Sequence, residues 1–503
     1  MTMRTNLFGA VLTMVAAGTL LAQTEKPLVP SDAQKGQHTQ PWEKIAIPPL
    51  PEFHPAQPKR IELKNGLVIF LQEDHELPFV NGVINIRGGG RDVPAAKVGL
   101  IGLYGEAWRT SGTETKSGDQ LDDLLEAKAA KVETGGDVDS TSLSWSCLKK
   151  DEDQVLAIAV DLLEHPKFAE DKLKLAQQQA AAGIVRRNDD AASVATREAV
   201  RLVYGKDSPY GRRPELSTVL SVTVADLKAW HDKTVAPNNM IVGVEGDFDS
   251  AEMEKALRAA FEGLQRGPAA PPAPKEFHGP TPGLYFVNKA DVNQSNIWVV
   301  GLGTERNNPD YYALSVMNEI FSGGFGSRLV QDVRTRQGLA YDVGGAYGAS
   351  YDHPGVFEVT AATQSATTEK TTKALLDDIE KLKSEPFREE ELKAAKDQLL
   401  NSFVFNYDSP GKVLSERVKL EFYGYPADYV EKYQAGVRKV TTEDLNRVAK
   451  KYIDSSKLAL LVVGNESQFE TPLSALNLGP VQPVDITIPM PPGMRGPRNG
   501  SEQ

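Results

Sequence analysis

Apolar and polar positions along this chain alternate in short runs that mark strands, separated by longer stretches with helical spacing. Leu67–Leu71 and Val80–Arg87 are apolar enough for buried strands, and Ser140–Leu148 alternates between small polar and large apolar side chains. Ser117–Lys131 and Asp153–Leu163 carry apolar residues three and four positions apart, which predicts amphipathic helices. A mixture of strands and helices in this order predicts an α+β fold.

The same succession of elements occurs twice. Leu220–Asp247 and Arg438–Asn465 match without a gap at an offset of 218 residues. Each begins with Thr and Asp at capping-box spacing, continues as a helix and ends as an apolar strand stopped by Gly. Leu163–Gln179 and Lys383–Gln398 agree at an offset of 219. We therefore predict two homologous halves, each an antiparallel sheet with helices packed on one face.

Proline-rich segments delimit the two halves. Residues 266–282 hold too many prolines for a helix or a sheet, so they predict a stiff linker. This linker separates a first domain, residues 59–265, from a second domain, residues 283–479. Similar segments predict an extended arm over residues 23–58 and a tail over residues 480–503 that builds no core.

The first 22 residues have the pattern of a secretory signal peptide. Arg4 precedes the apolar stretch Leu7–Leu21, and Ala22 offers a small residue for cleavage. A stretch of about 15 apolar residues is too short to span a bilayer ~30 Å thick. An uncleaved membrane anchor is the alternative. We expect an exported, periplasmic protein whose mature chain has no membrane span.

Composition excludes several classes of protein. The 503 residues are enough for two domains, and a net charge of −12 argues against a nucleic-acid binder, which needs a basic face. The single cysteine, Cys147, excludes a disulfide scaffold and a zinc site built from cysteines. Its place in the run 142–148 predicts that it is a small buried apolar residue.

Three segments together resemble the insulinase/pitrilysin-like zinc peptidases, the family that includes the mitochondrial processing peptidases. The first is Gly99–Thr113, the second is Ser208–Gly211 followed by Leu220–Asp247, and the third is Ser327–Arg334 with Gly338–Tyr341. The resemblance covers roughly Arg60–Asn465, most of the chain. It implies a fold of two similar halves and, in active members, zinc-dependent hydrolysis of peptides.

The metal-binding motif of active members is missing. They carry H-x-x-E-H on the helix that Gly99–Thr113 resembles, where two histidines four apart hold one zinc and the Glu acts as base on its bound water. Gly102, Gly105 and Glu106 stand at those positions here, and a third family ligand, a Glu, has no counterpart in Lys174–Gly183. No two of the seven histidines lie within ten residues of each other. We therefore predict that this chain binds no zinc, while a site assembled from distant histidines stays open.

Arg334 and Tyr341 are the features that remain. The helix through Leu329–Arg334 is predicted to end near Gln337-Gly338, with the glycine as its C-terminal cap, and a strand to begin at Tyr341. In the related peptidases an Arg–Tyr pair at this place faces the zinc site and donates hydrogen bonds to the substrate or to the developing oxyanion. The resemblance thus implies that Arg334 and Tyr341 bind substrate. A structural role is the alternative, because helix C-termini favour Arg and strands favour Tyr.

Three hypotheses follow. In the first, this chain is the non-catalytic subunit of an exported heteromeric zinc peptidase: a homologous partner carries the zinc, and this chain supplies substrate-binding residues and half of a chamber for the peptide. In the second, it is a structural or scaffold protein of the same fold with no role in proteolysis. In the third, which the missing motif favours least, it is an autonomous metallopeptidase.

Overall fold

Residues 56–491 are described by the computed structural model of this protein. They lie in one unit that contains two sheets with matching topology. The predicted signal peptide, all but the end of the predicted arm, and the last residues of the tail lie outside the described part of the chain. None of the described helices combines the length and the hydropathy needed to cross a membrane.

The first half contains a six-stranded sheet and eight α-helices among the described residues. Its strands, with the order β1-β2-β6-β3-β5-β4, are β1 Lys59–Glu62, β2 Val68–Glu73, β3 Phe79–Arg87, β4 Lys131–Gly136, β5 Ser140–Leu148 and β6 Met240–Gly246. Its helices are α1 Leu100–Thr110, α2 Gly118–Glu126, α3 Glu152–Glu164, α4 Glu170–Arg186, α5 Ala191–Tyr204, α6 Leu216–Leu220, α7 Val224–Thr234 and α8 Ser250–Phe261.

The second half follows the same plan. Its strands, with the order β13-β7-β12-β8-β11-β10-β9, are β7 Gly283–Asn288, β8 Gln294–Leu302, β9 Thr304–Glu305, β10 Ala340–Ser350, β11 Pro354–Gln364, β12 Ala459–Gly464 and β13 Val481–Pro483. Its helices are α9 Tyr311–Ser322, α10 Thr368–Ser384, α11 Glu389–Ser402, α12 Pro410–Tyr423, α13 Tyr429–Lys439 and α14 Thr442–Tyr452, with a π-helix at Val330–Arg336.

The predicted α+β fold with two homologous halves is confirmed, and the signals that predicted it are visible in the structure. Thr223 caps α7 and Thr441 caps α14, each in a capping box with the Asp three residues on. Cys147 is buried in β5, where burial raises the pKa of its thiol to about 11. The first sheet is antiparallel except where β2 pairs with β6 in parallel. In the second sheet β7 pairs in parallel with both β12 and β13, and β9 pairs in parallel with β10, so the predicted antiparallel sheet holds there only for the pairs among β12, β8, β11 and β10.

Each sheet is covered on both faces, because each half contributes one helix that packs on the sheet of the other half. Helix α5 of the first half packs against β8 and β12 of the second half. Helix α12 packs against β2 and β6 of the first half, where Leu414 and Val418 share an apolar cluster with Phe70 and Ile241. Each half packs its own helices on one face, as predicted, and the exchanged helix buries the other. This explains the unbroken apolar sequences of β6 and β12.

Two local predictions differ from the structure. The helix predicted over Ser117–Lys131 ends at Glu126, because the chain turns through Ala129 at a φ of 50° and enters β4 at Lys131. The tail, which was expected to build no core, instead adds β13 to the edge of the second sheet through its pairing with β7. Pro483 is tolerated there because an edge strand leaves one side of its backbone unpaired. Residues 265–282 contain neither helix nor strand.

Candidate functional site

Helix α1 holds the positions at which the metal motif was expected. One face is buried and includes Trp108, while Gly102 and Glu106 lie on the exposed side. Gly105 is required by packing, since a Cβ there would lie 2.9 Å from the Cα of Gly135 in β4. A glutamate at position 105 would therefore collide with the backbone of the neighbouring strand.

A cavity of about 520 Å³ lies beside the exposed side of α1. Its lining includes Gly102 and Glu106 from α1 and Ala176, Ala180 and Gly183 from α4. The two segments that the resemblance relates to zinc ligands therefore do meet. Glu106 is the one carboxylate, imidazole or thiolate among the described residues that line this cavity, whereas a catalytic zinc needs about three protein ligands. The residues present do not fit the metal.

His231 packs under α1, but it is a core residue. Its Nε2 lies 2.9 Å from the carbonyl oxygen of Leu163, and its Nδ1 lies 2.8 Å from the hydroxyl of Tyr104. Because a carbonyl only accepts, Nε2 carries the proton and Nδ1 accepts from Tyr104. Burial lowers the pKa of His231 to about 4, so the ring is neutral at pH 7. Both ring nitrogens are engaged, and neither is free to bind a metal.

Three arginines also line the cavity beside α1, and each is paired. Arg187 Nη2 lies 2.7 Å from Glu215, while Arg197 Nε and Arg213 Nη1 lie 2.9 and 2.6 Å from Glu198. Glu198 is buried, so its contacts with Arg197 and Arg213 form inside the protein rather than in solvent. The arginines act as cross-links between the segments that carry them.

One cluster of metal-capable side chains joins the two halves. It consists of Asp139, Asp352 and His353, whose possible ligand atoms all lie within 4.8 Å of one another. Among residues 56–491 this is the one such group. Arg91 reaches into this cluster, with Nη1 2.9 Å from Asp139 and 2.7 Å from Asp352. The Tyr210 ring stacks on His353 at 3.9 Å. The guanidinium supplies the positive charge that the two carboxylates need, and the cluster ties the turn between β4 and β5 to the turn between β10 and β11.

Arg334 and Tyr341 come together on the surface of the second half. The π-helix that carries Arg334 ends at Arg336, close to the predicted end, and Gly338, with a φ of 61°, lets the chain turn into β10. The Arg334 guanidinium lies over the Tyr341 ring at 4.3 Å from its centroid. Tyr341 is 82% exposed. The two residues therefore form one surface feature rather than two separate ones.

A third residue, Phe325, completes this feature. It is 72% exposed on the turn between Gly324 and Gly326, and its ring lies 4.9 Å from the guanidinium carbon of Arg334. Within the described part of the chain, the guanidinium has no hydrogen-bond acceptor and no carboxylate within 4.0 Å. Two rings thus hold the arginine while its N–H donors stay free. The sequence signal for Phe325 is a large aromatic residue set among glycines.

Comparisons with known proteins relate this chain to one family of peptidase homologues. Residues 221–399 match the family described as Peptidase M16 inactive domain. A relative from Rickettsia felis, named an uncharacterized zinc protease, is 28% identical over 350 residues, which cover 68% of this chain and 82% of the relative. A relative from Helicobacter pylori, named the non-peptidase homolog YmxG, is 22% identical over 417 residues, which cover 80% of this chain and 92% of the relative.

A solved structure shares the fold. The crystal structure of a peptidase M16 inactive domain from Pseudomonas fluorescens superposes with a TM-score of 0.73 at 23% identity. The match covers 82% of this chain and 98% of that one. The two-halved architecture described above is therefore shared with this structure over most of the chain.

Proposed function

This chain is an insulinase-like member of the M16 peptidase family, of the inactive type, and from that premise we propose that it is the non-catalytic subunit of an exported two-chain zinc peptidase. In this proposal a homologous partner carries H-x-x-E-H and the zinc, and hydrolyses peptides. This chain provides Arg334 and Tyr341 for the peptide and half of the chamber that encloses it. The signal-peptide pattern of residues 1–22 supports export to the periplasm.

The observation that carries the proposal is the free guanidinium of Arg334. An arginine that only stabilised its own fold would direct its donors at carboxylates or carbonyls of this chain, as Arg187 does with Glu215. Arg334 instead lies between the rings of Phe325 and Tyr341 with its donors unused by the described residues. Such a group is ready to donate to a peptide carbonyl, or to the oxyanion that forms when water attacks it.

The phenol of Tyr341 can serve the same substrate. Its ring is exposed and fixed from one side by Arg334, so its hydroxyl is accessible as a second donor. Because rings and guanidinium are held before substrate arrives, little conformational entropy is lost when they bind it.

The surroundings of α1 support the non-catalytic part of the proposal. The cavity there offers Glu106 as its single strong metal ligand among the described residues. Water activation would thus depend on a zinc held by the partner. This asymmetry is what a division of labour between two chains requires: the described lining beside α1 has too few ligands for zinc, and the second half has free donors.

The test is to reconstitute this chain with a homologous subunit that carries H-x-x-E-H and to measure peptide hydrolysis. We expect Arg334→Gln to lower kcat/KM of the pair by about 100- to 1000-fold, as the loss of an oxyanion donor does, and Tyr341→Phe to lower it less. Arg336→Gln is the matched control, because Arg336 lies on the same π-helix but is exposed and pairs with Asp332. It should leave kcat/KM unchanged.

The other hypotheses predict different results. If this chain is a scaffold without a role in proteolysis, neither Arg334→Gln nor Tyr341→Phe will change kcat/KM of the reconstituted pair. If this chain is an autonomous metallopeptidase, it will hydrolyse peptides without a partner, and metal analysis will find one zinc per chain. Either result would contradict the proposal.

A further inference from the structure

A second cavity, of about 480 Å³, lies in the second half, away from both α1 and the Arg334 surface. Its lining comes from the start of α9, the end of α11 and the following residues 403–407, helices α12 and α13, and the turn between β10 and β11. Aromatic side chains dominate it, among them Tyr311, Tyr351, Tyr429 and Tyr433. Arg306 lines the same cavity. A volume of this size suits a small organic molecule rather than a lone inorganic ion.

Arg306 is a half-buried cation without a counterion. Its guanidinium lies over the Tyr351 ring, 4.1 Å from the centroid, and its one hydrogen bond, Nε to the carbonyl of Ala349, is long at 3.5 Å. Among residues 56–491 no carboxylate lies within 4.0 Å of it. Taking a charge partly out of water is costly unless an opposite charge compensates it. The free face of this guanidinium is therefore a position for an anion.

Tyr429 supplies an independent observation at the same place. Its side chain is 8% exposed, and its buried hydroxyl lies near Tyr311 and Arg306 but has none of the described residues in full hydrogen-bond geometry. Burial, and then the neighbouring Tyr311, raise the pKa of Tyr429 far above its usual value, so the hydroxyl keeps its proton and remains a donor. Buried hydroxyls almost always find a partner. An acceptor bound in the cavity would provide one.

The remaining charges of the lining limit what the acceptor can be. Lys412 pairs with Asp408 at 2.9 Å, and Lys419 lies 3.5 Å from Glu416. Glu416 acts on Arg306 only from beyond 4.0 Å, so the guanidinium can still pair directly with one negative charge. A carboxylate carries that single charge, whereas a phosphate monoester carries about −1.5 to −2 at pH 7 and would leave an excess beside Glu416.

We propose that this cavity binds an organic carboxylate with an aromatic or apolar body. The carboxylate lies between Arg306 and the Tyr429 hydroxyl, and the body packs against the tyrosine rings that line the cavity. The site does not depend on the proposed peptidase role. Because α12 forms part of the wall and also covers the sheet of the first half, an occupant would stabilise the contact between the two halves.

The test is calorimetric titration of the full chain with three probes of similar shape: phenylacetate, phenyl phosphate and benzyl alcohol. We expect phenylacetate to bind one to one with a Kd below about 10 mM, a modest affinity for a ligand this small, and the other two to bind at least about tenfold more weakly. Tyr429→Phe removes one oxygen atom and should weaken phenylacetate about tenfold. Tyr285→Phe, which removes an exposed hydroxyl bonded to Thr281, is the matched control and should bind as the original chain does.

A second variant keeps the result interpretable if Tyr429→Phe does not fold. Arg306→Lys keeps the charge but loses the planar fork, and should also weaken phenylacetate by about tenfold. Three results would overturn the proposal: no saturation by phenylacetate, equal affinity for benzyl alcohol, or tighter binding of phenyl phosphate. Unchanged affinity in either folded variant would also overturn it.

Discussion

The cavity beside α1 and the cavity beside Arg306 have similar volumes, about 520 and 480 Å³, and three arginines line the first and one lines the second. They differ in where those arginines direct their donors. Arg187, Arg197 and Arg213 bond to Glu198 and Glu215 of the same chain, so their binding capacity is used within the fold. Arg306 has no such partner among the described residues.

The contrast separates structural from functional arginines. A paired arginine contributes to stability, and its loss leaves a carboxylate or a neighbouring charge uncompensated. An arginine held only by an aromatic ring contributes little to stability but can donate to a bound molecule. By this criterion the arginines beside α1 support the fold, while Arg306 and Arg334 of the second half keep donors that no carboxylate of the described residues occupies.

The largest effect we expect is from Glu198→Ala. Glu198 is 3% exposed and contacts Arg197, Arg201 and Arg213. Removing its carboxylate leaves these guanidinium groups without their buried counterion, so the free energy of unfolding should fall by about 3–5 kcal/mol. Urea unfolding measures this. Glu126→Ala on α2, at an exposed position, is the control and should change stability by less than about 0.5 kcal/mol.

If Glu198→Ala lowers the free energy of unfolding by less than about 1 kcal/mol, the contrast between the two cavities is wrong. It would mean that the arginines beside α1 do not depend on this carboxylate, and that their donors are as available as those of Arg306. The cavity beside α1 would then have to be regarded as a second anion site.

The next largest effect is a pH dependence of the free energy of unfolding, which comes from His231 beneath α1. Burial lowers the pKa of His231 to about 4 from an ordinary 6.5. As the pH falls, the His231 imidazole takes up a proton in the unfolded chain before it does so in the folded chain. The stability contributed by the neutral, buried ring is therefore fully present above pH 6.5 and is lost between pH 6.5 and 4. At about 1.4 kcal/mol per pH unit, the loss should reach about 2–3 kcal/mol.

Urea unfolding at several pH values between 7 and 4 tests this expectation. His231→Gln removes the titrating group, so its stability should fall less steeply with pH than that of the original chain. Equal slopes in the two proteins would show that His231 is not buried as a neutral ring. It would then have a nitrogen available, and the argument against a metal beside α1 would weaken.

Local signals and long-range packing account for what the sequence predicts and what it does not. The helix caps at Thr223 and Thr441 and the alternation of β5 depend on neighbouring residues, and all are present as predicted. The proximity of Arg334 and Tyr341 follows from one helix end, a turn and one strand start. These elements are adjacent in the chain, so short-range geometry determines them.

The exchanged helices and the second cavity depend on contacts between distant segments. Arg306 and Tyr429 are far apart in the chain, and no local pattern relates them. The apolar runs of β6 and β12 do indicate burial on both faces, but they do not indicate that the second cover comes from the other half. Phe325 is intermediate: its glycine neighbours mark an exposed turn, yet its contact with Arg334 appears only in three dimensions.

A smaller effect distinguishes two glycines of α1. A Cβ at position 105 would lie 2.9 Å from Gly135, while position 102 has no atom within 4 Å of its Cβ site. Gly105→Ala should therefore lower the free energy of unfolding by about 1–3 kcal/mol through overpacking. Gly102→Ala should raise it by about 0.5–1 kcal/mol, because alanine is the better helix former. If both substitutions stabilise, α1 does not pack against β4 as described.

The smallest effect should come from Arg334 itself. Exposed cation–π contacts are worth about 0.5–1 kcal/mol, so Arg334→Gln should lower the free energy of unfolding by no more than about 1 kcal/mol. Arg328 is the matched control on the preceding turn: it also lies over a ring, that of Phe387, but it pairs with Glu391 at 2.7 Å. Arg328→Gln should cost about 1.5–3 kcal/mol, because it also removes hydrogen bonds to a charged group. If Arg334→Gln costs as much as Arg328→Gln in urea unfolding, Arg334 is structural, and its free donors no longer argue for a bound peptide.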